Sequence, residues 1–141
     1  MGKKDEKPMV AKIENDILRL VHDAENTKWE NDKWVIFGEL TESEVKKLNL
    51  LLDADVSGFK RMIDISAIKH SRKKHPNLSD SDFCLIPLIV TTADEISIGK
   101  YPDTIVYKKV FEKEYYYVEC IRTGRKRLAM KTMYKTKIAS K

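Results

Sequence analysis

Two hydrophobic periods run along this chain, and the change from one to the other divides it. Between residues 10 and 24 the apolar positions Val10, Ile13, Ile17, Leu18, Leu20 and Val21 recur mostly three or four residues apart with charges between them, which predicts an amphipathic helix ending near Asn26. Trp34-Val-Ile-Phe-Gly-Glu-Leu40 is β-branched and aromatic enough for a strand. Thr41, with Glu44 three residues on, has the form of a capping box and starts a second helix that runs to about Asp53. Asp55-Val-Ser-Gly58 reads as a turn, residues 59–65 as a short strand, and Ser66 as the start of a basic helix that Pro76 and Asn77 stop. Ser79-Asp-Ser-Asp82 then caps a further helix whose apolar residues Phe83, Leu85, Ile86, Leu88 and Ile89 can bury one side, with Pro87 as a kink or an early end.

Beyond Gly99 the period becomes two. Residues 104–111, 115–122 and 127–134 each read as strands, and the short joints, Glu112-Lys-Glu114 and the loop containing Gly124, have the lengths of antiparallel hairpins. Helices first and sheet last predicts an α+β domain with N-terminal helices packed on one side of a C-terminal antiparallel sheet. Residues 1–9 and 136–141 are expected to be mobile tails, with a helical segment carrying one strand over residues 10–57 and the main domain over 58–135.

At 141 residues, with 42% hydrophobic and 35% charged, the composition is that of one ordinary globular domain. The longest apolar stretch, Phe83 to Val90, is far too short to span a bilayer. Charge occupies Met1 to Met9 where a secretory signal would be apolar, so no export and a cytoplasmic location are expected. Cys84 and Cys120 lack CxxC spacing and a neighbouring base, which points to reduced, buried thiols rather than a disulfide, a zinc site or a nucleophile. The net charge of +5 is unevenly laid out: Arg122 to Lys141 holds eight basic residues and no acidic one, while the remainder is slightly acidic. Such a segment suits a polyanion such as RNA or DNA; a solubilising tail is the plainer alternative.

Chemistry concentrates in Asp64-Ile-Ser-Ala-Ile-Lys-His-Ser-Arg-Lys-Lys-His75, which holds two of the three histidines and, from Lys69 onward, four cations within seven residues. Histidine exchanges protons near neutral pH and lysine or arginine binds phosphate, although a solvated basic helix would have the same composition. His70 and His75 are five residues apart and diverge by roughly 140° around a helix, so they share a pocket only if the helix ends before His75. In the last hairpin, a two-residue turn at Gly124-Arg125 sets Ile121 against Leu128, Glu119 against Met130 and Tyr117 against Thr132. Tyr117, Glu119, Thr132 and Tyr134 then share a face, with Arg122, Arg127 and Lys131 on the other. A one-residue slip would exchange the faces of one strand. Glycines are single, and GxSxG and HExxH do not occur, so nucleotide hydrolases and zinc proteases are unsupported.

Four stretches together resemble a known family: Asp64 to His75, Asp82-Phe-Cys-Leu-Ile-Pro-Leu-Ile-Val90, Asp103-Thr-Ile-Val-Tyr-Lys-Lys109, and Tyr117 to Lys135 with its Arg-Thr-Gly-Arg-Lys-Arg-Leu-Ala-Met-Lys-Thr-Met-Tyr ending. They resemble the PBECR domains, phage-encoded nuclease-like domains grouped with barnase, EndoU, colicin and RelE toxins, over about residues 58–135. The resemblance implies N-terminal helices leading into a four-stranded antiparallel sheet and a metal-independent endoribonuclease needing no cofactor. The implied chemistry is attack by the ribose 2′-hydroxyl, leaving a 2′,3′-cyclic phosphate. It makes His70, Lys74, His75, Thr132 and Tyr134 the candidate catalytic residues, with Glu119 as a further general base. Arg72, Lys73, Arg122, Arg125, Lys126, Arg127, Lys131 and Lys135 become candidate nucleic-acid contacts. RNA in a bacterial host cytoplasm is the implied substrate, and an inhibitor or immunity protein a further expected partner. A non-catalytic nucleic-acid-binding protein with a decayed site is the alternative.

Overall fold

The computed structural model describes Ile13 and residues 15–25, 33–101 and 103–137. The expected helix start at Val10 and both ends of the chain, apart from residues 136 and 137, therefore lie outside the described residues. A helix over residues 15–25 (α1) precedes strand β1 (Trp34–Glu39) and helix α2 (Glu42–Leu52). Strand β2 (Lys60–Asp64) runs directly into α3 (Ile65–Lys74), and two short helices follow, α4 (Asp80–Cys84) and α5 (Ile86–Thr91). The chain then forms β3 (Glu95–Ile98), β4 (Thr104–Val110), β5 (Glu114–Arg122) and β6 (Arg127–Thr136).

Local signals explain most of these limits. Thr41 and Glu44 form the expected reciprocal capping box on α2, and Ser79 and Asp82 form another on α4. Pro87 does not kink or end a helix. It lies in the first turn of α5, where its missing N–H costs nothing, and the break between α4 and α5 falls at Leu85.

The sheet is larger than the four antiparallel strands implied by the resemblance. It has six strands in the order β1-β2-β6-β5-β4-β3, all antiparallel except for the parallel pair β2 and β6. Two differences account for this. β1 and β2, both legible as strands, add to the outer edge of β6 instead of standing apart from the sheet. At the other edge, β3 offers only Glu95-Ile-Ser-Ile98, four residues of weak alternation with too little pattern to read as a strand.

The helices bury one face of the sheet. Ile17, Leu20 and Val21 of α1 and Leu48 of α2 belong to one core with Ile63, Phe83, Ile86, Ile89, Ile105, Leu128 and Met133. Inside it lies a charged cluster. Arg61, 2% exposed, donates to Glu119 Oε1 at 3.0 Å, to Glu44 Oε2 at 2.8 Å and to the Tyr107 hydroxyl at 3.1 Å. Burial pushes the Glu119 carboxyl up, and the adjoining guanidinium opposes that rise. Burial also raises Tyr107, with the Glu119 charge adding to it. The opposite face of β4, β5 and β6, with Val106, Lys108, Tyr116, Val118, Cys120, Thr132 and Tyr134, is only half-buried.

Candidate active site

α3 starts from the end of β2, where Asp64 caps it by accepting from the Ala67 N–H at 2.7 Å. The helix buries Ile65, Ala67, Ile68 and Ser71, which leaves His70, Lys73 and Lys74 exposed. It ends at Lys74. His75 is the C-cap, with φ −130° and ψ 77°, and its N–H donates to Ser71 O at 2.8 Å. The helical step of 100° per residue thus stops short of His75, and both histidines reach one cavity.

The position of α3 is set by an unfilled sheet edge. β2 pairs only with Arg127, Leu128 and Ala129 of β6, so beyond Ala129 the outer edge of β6 needs another partner. Ser71, fully buried, supplies one. Its Oγ donates to Ala67 O at 2.8 Å, accepts from Met133 N–H at 3.1 Å, and lies 3.4 Å from Thr132 Oγ1.

A bulge decides which β6 side chains meet α3. The chain turns through a short 3-10 segment, Thr123–Arg125, with Lys126 in the left-handed region at φ 52°, rather than through a two-residue turn. The expected partners Ile121 with Leu128 and Glu119 with Met130 are present. The register then shifts by one residue, so Val118 faces Thr132 and Tyr117 faces Met133. Lys131 is the extra residue. A bulge re-aims every side chain that follows it, and here it separates Thr132 and Tyr134 from Glu119 and Tyr117. The latter pair, both fully buried, face the helices. The expectation that these four share a face is thereby corrected.

His70, Lys74, His75, Tyr101, Lys131, Thr132 and Tyr134 line one cavity of about 260 Å³. It adjoins a second of about 420 Å³, which shares His70 and Lys131 and adds Asp64, Lys69, Lys73 and Arg122 among its lining residues. Among the described residues, Lys73, Lys74, Arg122 and Lys131 make no ion pair with a carboxylate. Tyr134 is central to the aromatic part. Its ring meets the His75 ring at 5.3 Å and stacks on Tyr116 at 4.8 Å with 14° between planes, and burial raises its phenol above the ordinary value. The donors gathered here are imidazole, ammonium and hydroxyl, the groups that move protons and neutralise phosphate.

Several expected residues lie elsewhere. Glu119 is in the core with Arg61, where it cannot reach the cavity as a general base. Arg72 turns to the other side of α3, donating to Asp80 Oδ1 at 2.7 Å, to Glu25 and to Leu78 O, with its guanidinium 5.2 Å from the Phe83 ring centroid. Lys135 donates to Asp82 Oδ2 at 2.6 Å and shows only 12% of its side chain, so its charge is spent within the fold. Arg125, Lys126 and Arg127 sit at the β5–β6 turn and line neither cavity. Tyr101, on the loop before β4, left no sign in the sequence, and Lys69, counted among the cations of the 64–75 segment, was assigned no contact. A lone aromatic two residues after Gly99 carries no periodic signal.

Among the described residues, no group of three or more His, Cys, Asp or Glu could hold a metal ion, and no helix is long and apolar enough to cross a membrane. A family model described as phage-Barnase-EndoU-ColicinE5/D-RelE like nuclease3 (PBECR3) matches residues 38–141. The match begins twenty residues before the stretch in which the resemblance was legible, and so takes in α2. Neither the curated proteins nor the solved structures contain a significant match.

Proposed function

Because this chain belongs to the PBECR3 family of phage Barnase-EndoU-ColicinE5/D-RelE like nucleases, we propose that it is a metal-independent endoribonuclease that cuts by attack of the ribose 2′-hydroxyl on the adjacent phosphorus. One observation carries the reading: a helix and a strand about sixty residues apart in sequence converge so that His70, Lys74 and His75 share a cavity with Lys131, Thr132 and Tyr134. One histidine takes the 2′-hydroxyl proton and the other protonates the departing 5′-oxygen, the bond from phosphorus to that oxygen breaking as the bond to the 2′-oxygen forms. The products are a 2′,3′-cyclic phosphate and a 5′-hydroxyl. Lys74 and Lys131 face the phosphate whose charge crowds in the transition state, and Thr132 and Tyr134 supply hydroxyl donors to its oxygens. Lys73 and Arg122 take the flanking backbone. A toxin-like role on host RNA, with an inhibitor to hold it in check, fits such chemistry.

The test is incubation of the purified protein with oligoribonucleotides in EDTA, with product ends identified by mass spectrometry. Cyclic phosphate ends, absent with the all-deoxy sequence, are expected. Intact RNA that is bound would overturn catalysis in favour of a binding protein, and cleavage only on adding a divalent ion would overturn the metal-free step.

A further inference from the structure

The cavity beside the two histidines has two aromatic walls. One is Tyr134, backed by Tyr116. The other is Tyr101, which lines the same cavity yet is 57% exposed. An exposed tyrosine on a loop is ordinarily free to move, but this one stands on a built support. Gly99 N–H donates to Thr104 O at 2.8 Å, and Thr104 Oγ1 donates back to Tyr101 O at 2.5 Å. Thr104 is itself buried, and its hydroxyl occupies the space in which a Gly99 Cβ would stand, 2.2 Å from that position. Lys131 Nζ lies 5.0 Å from the centre of the Tyr101 ring and Lys100 Nζ 5.9 Å from it. The backbone at Tyr101 is thus fixed while its ring stays more than half exposed, with the Lys131 and Lys100 ammonium groups over it.

An exposed aromatic ring with mobile ammonium groups over it matches one kind of ligand part, an aromatic base attached to a phosphate backbone, the base taking the ring face and the ammonium the phosphate. We propose that Tyr101 and Tyr134 wall a slot for one unstacked nucleobase next to the bond that is cut, so that the protein selects single-stranded over paired nucleic acid. This deepens, and rests on, the nuclease reading above. In a duplex both faces of each base are taken by its neighbours, and only the phosphates remain for Lys73, Arg122 and Lys131.

Binding to a 2′-O-methylated oligoribonucleotide, which cannot be cut, separates recognition from chemistry. The affinity is measured for the single strand and for the same strand annealed to its complement, with the wild-type protein, Tyr101→Ala and Tyr101→Phe. The wild type is expected to prefer the single strand. Tyr101→Ala should lose about 5- to 150-fold in affinity for the single strand, the range that stacking of one base on an aromatic ring supplies. It should bind the duplex unchanged, and Tyr101→Phe should resemble the wild type. An unchanged melting temperature for Tyr101→Ala would exclude a folding effect. Equal losses on both substrates, or no loss, would overturn the slot while leaving the nuclease reading intact. A wild-type protein that binds neither form would overturn both.

Discussion

His70 is exposed, whereas His75 is half-buried against the Tyr134 ring, and neither belongs to the core. Replacing either with alanine should therefore leave folding within about 0.5 kcal/mol of the wild type. Cleavage should fall by about 10²- to 10⁴-fold for the histidine that moves a proton in the limiting step. Single-turnover rates alongside denaturant midpoints check both halves, and indifference of both variants would remove acid–base work from this helix. Two lysines make the complementary comparison. Lys74→Ala should lower cleavage at unchanged stability, because Lys74 is exposed and lines the cavity. Lys135→Ala should lower stability by about 2 to 4 kcal/mol, because it leaves the buried Asp82 carboxylate without its cation.

Asp82 adds a pH dependence to that pair. Burial works to raise its carboxyl, but hydrogen bonds from Lys135, the Ser79 N–H and the Tyr115 hydroxyl outweigh burial and hold it below the usual 3.8. Burial, with the same contact adding to it, pushes the Tyr115 phenol up to about 12. A carboxyl depressed in the folded state contributes stability above its unfolded value and loses it as pH falls through the folded one. The cost of Asp82→Asn should accordingly be full at pH 7 and shrink steadily below about pH 4, as followed by urea denaturation at stepped pH. A cost independent of pH would show that packing, not charge, supports this joint between α4 and β6.

At the level of elements, the docking of α3 on the edge of β6 decides whether there is a site at all. Ser71 bridges the two backbones, through Ala67 O and Met133 N–H. Ser71→Ala should leave the Met133 N–H buried without its partner, costing about 1 to 3 kcal/mol. Cleavage at a temperature well below unfolding should fall as well, since the histidines and Tyr134 are carried by the two elements being joined. A crystal structure or amide exchange at Met133 would show whether the edge opens. The capping box at Thr41, the cap at Ser79 and the three long C-terminal strands were legible in the sequence, because each depends on residues no more than four apart, whereas the start of α3 was read at Ser66, one residue after its first residue, Ile65, and without its Asp64 cap. The pairing of Glu119 with Met130 followed from centring the turn on Gly124-Arg125, a centre that the actual four-residue loop keeps. The bulge at Lys131 did not. Ala129-Met-Lys-Thr132 has no glycine to mark it, and the partner beside it, Ser71 Oγ on Met133 N–H, lies 62 residues away in sequence.

Across the whole molecule, charge was legible as a total but not as a partition. The excess of basic residues near the C-terminus is real, yet the fold spends Lys135 on Asp82 and withdraws Arg125, Lys126 and Arg127 to a turn, while leaving Lys73, Lys74, Arg122 and Lys131 around the cavities. Partners such as Arg61 and Glu119, 58 residues apart, leave no periodic trace that could have told a buried acid from a catalytic one. That core cluster ties α2, β2, β4 and β5 together through Glu44, Arg61, Tyr107 and Glu119. It also contains a defect: among the described residues, Glu119 Oε2 and the Tyr117 hydroxyl have no hydrogen-bond partner although both are buried. An imperfectly satisfied buried ion pair contributes little net stability, but removing one member strands the other. Arg61→Met should cost about 3 to 5 kcal/mol, and adding Glu119→Leu to it should restore most of that loss, since the double variant no longer buries an uncompensated carboxylate. Denaturant midpoints of the two single variants and the double variant complete the cycle. Because Glu119 faces the helices and not the cavity, the restored double variant should also recover cleavage. A stable double variant without activity would return Glu119 to the catalytic machinery and require a different register in β6 when substrate is bound.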